Sequence, residues 1–576
     1  MRLSPLLLSF LAVFSTVNVM AQNNDADWQH SQIRHVLLLS VDGMHAVDFL
    51  NCSQGIAGVN SGAPYCPNLA ALGTTAINYT AASTSKPSDS FPGLMSIVTG
   101  ATPRTMGIYY DVSYDRSLDG PKVQSGNGNG PGPCSAGAAP TGFTTEYEEG
   151  IDIDQTKLNG GAPGASLTDG GIASLDPAKM VRDPAKGCAP VLPWNFVRTN
   201  TIFGVIHAAG GYTAWSDKHP AYSSVAGRTG PSALDDFYAP EINSNVIGLP
   251  GVSTPEGASC SRVRDPGSNL TAWTNSFQNI QCYDTLKVNA ILEEIEGKSH
   301  DGKAAKTPNI FGMNFQAVSV GQKLIEKSNQ TTGGYLDGAG TPTPSLLSEI
   351  QFVDASIGKM VNEIKDRGLY ESTLIIVTAK HGQSPIDPKL WNPILKSSSG
   401  SSPATLLGQA NLIPYSESPL NANGIGPTED DVSLIWLKNP ADTLPAVQML
   451  ESNAANIGLG QIYYGPSLAL NYDWPGVAPS GDPRTPDILV TPNVGVDFTG
   501  SSAKLAEHGG FAHDDTNVIL LVSNPGITPR TVYSTVGTNQ IAPSILSALG
   551  LDPWSLDAVR LEGTPELPFV SLGTGH

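Results

Sequence analysis

Short apolar runs recur along the chain, and they constrain its fold more than any other feature. The first run, His35 to Val41, reads HVLLLSV and is continuous instead of alternating. A continuous run of this length is typical of a strand buried on both faces of a parallel sheet. We expect six further strands, at residues 201–206, 310–315, 373–377, 432–437, 487–490 and 517–522.

Helical patterns separate several of these runs. The clearest spans Ser345 to Arg367, where apolar residues fall at spacings of three and four: Leu346, Ile350, Val353, Ile357, Val361 and Ile364. Alternation of strands with helices predicts an α/β fold, a doubly wound, mainly parallel sheet with helices on both faces. We expect residues 22–576 to form one catalytic domain with long insertions at about 117–193 and 222–276, near the mouth of the site.

The N-terminal 21 residues predict a secreted, extracellular protein. They combine Arg2, an apolar run from Pro5 to about Val19, and small side chains near Ala21, which together are typical of a signal peptide. The run is too short to span a membrane, and no later stretch approaches the roughly 20 apolar residues that a span requires. Four glycosylation sequons fit an exported glycoprotein; they begin at Asn51, Asn78, Asn269 and Asn329.

Six cysteines in the first half of the chain predict disulfides, because the count is even and the context is secretory. Sequence-local pairing would join Cys52 with Cys66, Cys134 with Cys188, and Cys260 with Cys282. Other connectivities stay open at this point. The formal net charge of -20 argues against a nucleic-acid polymer as partner, since phosphate backbones attract clustered Lys and Arg. Small phosphorylated substrates remain possible.

Two polar residues stand where chemistry is favoured. Asp42 follows the first apolar run, at the carboxyl end of a predicted strand, where open α/β sheets bind ligands. Ser90 precedes an apolar helical turn, so its hydroxyl lies where backbone N–H groups stabilise an oxyanion. On these features alone, a loop-capping role for Asp42 and an N-cap role for Ser90 stay open.

The string KPSDSFPGLMSIVTGATPRTMGIYYD, residues 86–111, resembles the nucleophile segment of the type I phosphodiesterase/nucleotide pyrophosphatase family of the alkaline phosphatase superfamily. Residues 375–382, 507–510 and 539–551 resemble later segments of that family in the same order. The resemblance implies an alkaline-phosphatase-like fold and hydrolysis of phosphate esters. It also implies that Ser90 replaces the family's threonine nucleophile, and that Asp42 binds the divalent metal, zinc, that activates it.

The chain departs from the family at several ligand positions. Lys380-His381-Gly382 stands where the family reads Asp-His-Gly, so a cation replaces a carboxylate ligand. The family's Asp-x-x-x-His pair is absent near residues 314–322, which end at Gln322, and His508 remains of that second metal site. Asp111 replaces an asparagine that contacts phosphoryl oxygens in the family.

Three accounts of this site follow from the residues. In the first, one or two zinc or manganese ions are bound by imidazole and oxygen ligands. Those ligands are Asp42, Ser90, His381, His508, His513, Asp514 and Asp515. In the second, Lys380 replaces one metal and stabilises the Ser90 alkoxide or the phosphoryl group, paired with Asp111. In the third, the protein binds a ligand without catalysis.

We expect catalysis, because polar groups buried at strand ends cost free energy that a purely structural site need not spend. Lys218 follows a predicted strand at residues 211–214 and is a candidate for binding the substrate anion; a solvated loop is the alternative. The leading hypothesis is a secreted phosphodiesterase or nucleotide pyrophosphatase-like hydrolase of small phosphorylated substrates. The alternatives are a phosphomonoesterase or phosphonate hydrolase on the same scaffold, and a secreted ligand-binding protein.

Overall fold

The structure is a computed structural model. It describes residues 32–123, 131–147, 154, 171–242, 252–260, 274–327, 330–395, 401–413, 427–469, 471–476, 480–499 and 503–570. The predicted signal peptide at residues 1–21 and the sequons at Asn269 and Asn329 lie outside the described residues. No helix among the described residues is both long enough and apolar enough to cross a bilayer.

An eight-stranded sheet forms the centre of the molecule. Its strands are β1 (His35–Val41), β2 (Ala76–Tyr79), β3 (Ala214–Ser216), β4 (Asp236–Tyr238), β5 (Ile310–Phe315), β6 (Thr373–Thr378), β7 (Leu521–Ser523) and β8 (Arg530–Val532). They lie in the order β8-β2-β7-β6-β1-β5-β3-β4. Only the two pairings of β7 are antiparallel, whereas the other neighbours pair in parallel. The predicted mainly parallel sheet is confirmed.

Helices cover both faces of this sheet. The α-helices of seven residues or more in the described chain are α1 (Ala46–Gln54), α2 (Pro67–Gly73), α3 (Ser90–Thr99), α4 (Ile202–Ala208), α5 (Phe277–Ile295), α6 (Ala317–Lys323), α7 (Pro344–Asp366), α8 (Pro403–Gln409), α9 (Thr443–Ser452) and α10 (Ile541–Ala548). Alternate strand residues point to opposite faces. Val36 and Leu38 therefore share a core with α3, α4 and α10, while Leu37 and Leu39 share one with α1, α5 and α7.

Three of the predicted strands do not belong to the central sheet. Residues 201–206 were expected to form a strand, but Thr201 caps α4 by accepting a hydrogen bond from the Gly204 N–H. A short apolar run does not by itself distinguish a strand from a buried helix. The runs at 432–437 and 487–490 form strands Ser433–Ile435 and Ile488–Pro492 of a second, antiparallel sheet. That sheet also contains Pro427–Glu429 and Leu459–Tyr464.

The three sequence-local disulfides are confirmed: Cys52–Cys66, Cys134–Cys188 and Cys260–Cys282. The start of the second predicted insertion, at about residue 222, lies in a buried segment. Residues Pro220–Thr229 form a 3-10 helix whose Tyr222 and Val225 are buried in the same core as α3. The chain therefore uses part of this segment as core next to α3.

Candidate active site

The candidate site lies at the carboxyl ends of four adjacent strands, β6, β1, β5 and β3. Asp42 directly follows β1, and His381 lies three residues beyond β6. Asn314 lies near the end of β5, and Lys218 lies two residues beyond β3. Since parallel strands place their carboxyl ends on the same edge, residues far apart in sequence meet there.

Ser90 is the first residue of α3 and is completely buried. Its Oγ lies 3.0 Å from His381 Nε2, 3.3 Å from Lys218 Nζ and 3.5 Å from Asp42 Oδ2. Asp89 caps the helix by accepting a hydrogen bond from the Phe91 N–H. The predicted placement of the serine at a helix N-terminus therefore agrees with the structure, and the N-cap itself is the preceding aspartate.

Gly93 allows α3 to approach the strand end that bears His381. A Cβ built on Gly93 would lie 2.1 Å from the Lys380 carbonyl oxygen, so no larger side chain fits without moving backbone. The contact holds the first turn of α3 against the segment after β6 and places Ser90 beside His381.

We expect Gly93→Ala to lower the free energy of unfolding by about 1–3 kcal/mol, as overpacking does in close-packed interiors, and to reduce kcat. Urea unfolding and steady-state kinetics measure both effects. Gly408→Ala is the matched control, because the Cβ at this helical glycine would meet only Ile413 side-chain atoms at ordinary contact distance. Equal stability and activity of both variants would contradict the role of this contact.

Asp42 is held by amide donors from the neighbouring strand end. Its Oδ2 accepts hydrogen bonds from Asn314 Nδ2 at 3.1 Å and from Gln316 Nε2 at 2.6 Å, while Oδ1 is buried without a hydrogen bond. Burial favours the neutral acid, but the positive charges of Lys380 and Lys218 outweigh it and hold the pKa of Asp42 well below its usual range. Asp42 is therefore an anion surrounded by neutral and cationic donors.

His381 and His508 are in ring contact at the site, with centroids 4.2 Å apart and the ring planes tilted by 34°. His381 Nδ1 lies 2.9 Å from the Gly382 carbonyl oxygen. Burial lowers the pKa of His381 to about 4, although Asp42 opposes this shift. Burial, followed by the proximity of His381, also lowers the pKa of His508 well below its usual value. His508 Nδ1 lies 3.3 Å from Asp89 Oδ1. Both imidazoles are therefore neutral at pH 7.

Two lysines lie at the site, and only one of them contacts Ser90 in the described structure. Lys380 is fully buried and pairs with Asp217, with Nζ 3.0 Å from Oδ1, and its ammonium lies 4.0 Å from the centre of the Tyr222 ring. In the described contacts Lys380 pairs with Asp217 and not with Asp111, the partner proposed in the second account. Lys218, which is only partly buried, is the cation beside Ser90. The reason is geometric, since the two lysines extend from different strand ends.

The described contacts of the remaining predicted residues are with other groups than the Ser90 hydroxyl. Asp111 accepts a hydrogen bond from the Val112 N–H and donates its own N–H to Asp89, so it lies beside the cap of α3. His513 is exposed at the start of a short helix. Asp514 accepts a hydrogen bond from the Ile386 N–H. Neither His513 nor Asp514 has a described hydrogen bond or ion pair with Ser90. The short helix contacts the segment after β6 through a backbone hydrogen bond from the Gly382 N–H to the Asp515 carbonyl.

The side chains present do not fit the expected two-metal site. In the described part of the chain, no three His, Cys, Asp or Glu side chains are grouped so that they could bind a metal ion. Near the second expected site, Gln322 donates to the Gly43 carbonyl and the Tyr335 hydroxyl and accepts from Gln383. Near the first, the Lys218 ammonium stands 3.3 Å from the Ser90 Oγ. Amides and cations thus take the places that a metal site needs for anionic ligands.

Comparison with known proteins shows which family the chain belongs to. The family model for type I phosphodiesterase/nucleotide pyrophosphatase matches residues 36–148 and 319–513, which include Asp42, Ser90, His381 and His508. The chain belongs to this family. No curated protein matches it in sequence.

Solved structures agree with the family's fold at low identity. Murine ectonucleotide pyrophosphatase/phosphodiesterase 5 is 13% identical with a TM-score of 0.52, over 90% of this chain and 96% of the murine one. An inactive variant of the murine protein in complex with AMP is 12% identical, with a TM-score of 0.51 over 90% and 96% of the two chains. The human counterpart is 12% identical, with a TM-score of 0.51 over 90% and 95%. The predicted alkaline-phosphatase-like fold is confirmed.

Sequence reasoning missed the groups that fix the charged residues of this family member in place. Asn314 and Gln316 were considered only as positions where metal ligands are absent, and they are the donors to Asp42. Asp217 directly precedes Lys218 in the sequence, and it is the partner of Lys380. Its position directly after a short strand was the available signal, since that is also the position of Asp42 after β1.

Proposed function

We propose that this protein is a secreted hydrolase of phosphate esters in which Ser90 attacks phosphorus. The observation that carries the proposal is the environment of the Ser90 Oγ, with an imidazole nitrogen at 3.0 Å and an ammonium at 3.3 Å. A hydroxyl with a proton acceptor on one side and a positive charge on the other suits nucleophilic attack on an anionic centre. Three disulfides support export to an oxidising compartment.

The substrate we propose is a small phosphodiester or nucleotide. Membership of the type I phosphodiesterase/nucleotide pyrophosphatase family supports this class, as does the AMP bound to the murine neighbour. Lys218 is partly exposed, so its ammonium can meet a substrate that enters from solvent. An acidic chain whose site carries local positive charge suits a small anion better than a long phosphate polymer.

The test is hydrolysis of three chromogenic substrates by the purified chain: bis(4-nitrophenyl) phosphate, 4-nitrophenyl phosphate and the 4-nitrophenyl ester of thymidine 5′-monophosphate. We expect the two diesters to be cleaved faster than the monoester, because a diester brings a single negative charge, which the Lys218 ammonium beside Ser90 can balance. Faster cleavage of the monoester would make the protein a phosphomonoesterase. No hydrolysis of any ester, with or without added divalent metal, would contradict the proposed function.

A further inference from the structure

We propose that hydrolysis by this chain is independent of metal ions: His381 is the general base that activates Ser90, and Lys218 supplies the positive charge that stabilises the phosphoryl group. The inference rests on the proposed function and assigns the groups that carry it out. It starts from the mismatch between the family's metal site and the amide and ammonium groups that line this one.

The hydrogen bonds of His381 assign its tautomer. The Gly382 carbonyl, 2.9 Å from Nδ1, can only accept, so Nδ1 carries the proton. Nε2 therefore presents its lone pair to the Ser90 hydroxyl, 3.0 Å away. This is the arrangement of a nucleophile and its base in serine hydrolases generally.

Lys218 is positioned by a rigid anion. The Lys218 backbone N–H donates to Asp217 Oδ1 at 2.8 Å, and Trp215 Nε1 donates to Asp217 Oδ2 at 3.1 Å. Lys380 neutralises the same carboxylate from within the core. The ammonium of Lys218 lies 3.3 Å from Ser90 Oγ and can meet a phosphoryl oxygen there.

Asp42 stabilises the protonated base. Its Oδ2 lies 3.7 Å from His381 Nε2, the atom that gains a proton during attack. Two amide donors orient this oxygen, so the carboxylate faces the imidazolium without having to coordinate a cation. In the family resemblance Asp42 is a metal ligand; in this chain it would serve the imidazolium instead.

The steps balance without any additional reagent. The Ser90 proton moves to His381 Nε2 as Oγ bonds to phosphorus, and the P–O bond to the leaving group breaks. The leaving oxygen takes the proton from Nε2. Water then gives a proton to Nε2 and attacks the phosphoseryl phosphorus, and Ser90 Oγ leaves with that proton. The products are an alcohol and a phosphate ester of the remaining group.

The first experiment measures metal dependence on the full-length secreted protein. We expect metal analysis to find far less than one zinc or manganese ion per chain after dialysis against EDTA and 1,10-phenanthroline. We also expect the rate with bis(4-nitrophenyl) phosphate to change by less than about twofold after dialysis. Loss of activity on chelation and its recovery with zinc would overturn the inference while leaving the proposed function intact.

The second experiment adds a readout that does not depend on turnover, and compares it with kcat. Diisopropyl fluorophosphate should label Ser90 in the presence of chelator, as mass spectrometry of the Ser90 peptide can show. His381→Gln should slow labelling by about 10²–10⁴-fold, the range for removal of a general base. Lys218→Ala should lower kcat for the diester by about 10²–10³-fold, with Lys218→Arg recovering part of the loss. Lys122→Ala, an exposed lysine elsewhere, should match the unmodified protein.

The outcomes separate the two proposals. Labelling of Ser90 that needs His381, without hydrolysis of any phosphate ester, would support the dyad and contradict the proposed function. Labelling at the same rate in His381→Gln, or unchanged kcat in Lys218→Ala, would overturn the inference even if hydrolysis is robust. Circular dichroism of each variant shows whether it is folded, and the labelling and kinetic ratios are taken on folded protein.

Discussion

Replacing Ser90 with alanine is expected to lower kcat for phosphodiester hydrolysis on the order of 10⁴-fold or more, the scale on which nucleophile removal acts in serine hydrolases. The reason is that no other hydroxyl is described within hydrogen-bond distance of both His381 and Lys218. KM should change little, since Lys218 remains to bind the anion. Steady-state kinetics with bis(4-nitrophenyl) phosphate measures both constants.

Ser96→Ala is the matched control for this substitution. Ser96 is buried on the same helix, and its Oγ donates to the Ala101 carbonyl at 2.9 Å, away from the carboxyl ends of the strands. The control should therefore keep its activity and lose at most about 1 kcal/mol of stability for one missing hydrogen bond. Comparable rates for Ser90→Ala and Ser96→Ala would refute the nucleophile assignment.

Replacing Lys380 with methionine should destabilise the fold by about 3–5 kcal/mol, the cost of leaving a buried carboxylate without its cation. Asp217 and Lys380 are both fully buried, so neither water nor salt replaces the lost partner. Urea unfolding measures the change in free energy. Activity should fall as well, because the ammonium of Lys218 would then be drawn to the uncompensated Asp217.

A double variant tests whether the effect belongs to the pair. Lys380→Met combined with Asp217→Asn removes both charges, and it should recover part of the stability that the single variant loses. Lys303→Met is the exposed counterpart, since its ammonium pairs with Asp301 at the surface; such pairs contribute about 0–1 kcal/mol. Equal stability of Lys380→Met and the unmodified protein would show that the buried pair is not needed.

Much of the fold and of the site's location could be predicted from the order of the apolar runs. Buried parallel strands have continuous apolar sequences, and Asp42 and His381 follow two such segments. The prediction of a strand at residues 201–206 was wrong. The Thr201 hydroxyl caps a helix there, and a count of apolar residues does not include that hydroxyl. The runs at 432–437 and 487–490 contain strands, as predicted. Their place in a second sheet could not be predicted, because the length of a run does not indicate which sheet it joins.

The electrostatics of the site could not be predicted from composition alone. Lys380 precedes His381, and Lys218 follows Asp217, so both were near strand ends on the same edge. Which ammonium contacts Ser90 depends on side-chain direction, and the structure assigns it to Lys218. His513 and Asp514 were close to His508 in sequence, yet one is exposed and the other binds a backbone amide.

The most direct test of the central claim is to trap the covalent intermediate on Ser90. The protein, dialysed against chelator, is mixed with bis(4-nitrophenyl) phosphate and quenched in acid, and its peptides are analysed by mass spectrometry. We expect a nitrophenyl phosphoryl group on the peptide that contains Ser90. The corresponding peptide of the Ser90→Ala variant should carry no such group. An adduct on a different residue, or full turnover by Ser90→Ala, would contradict the central claim.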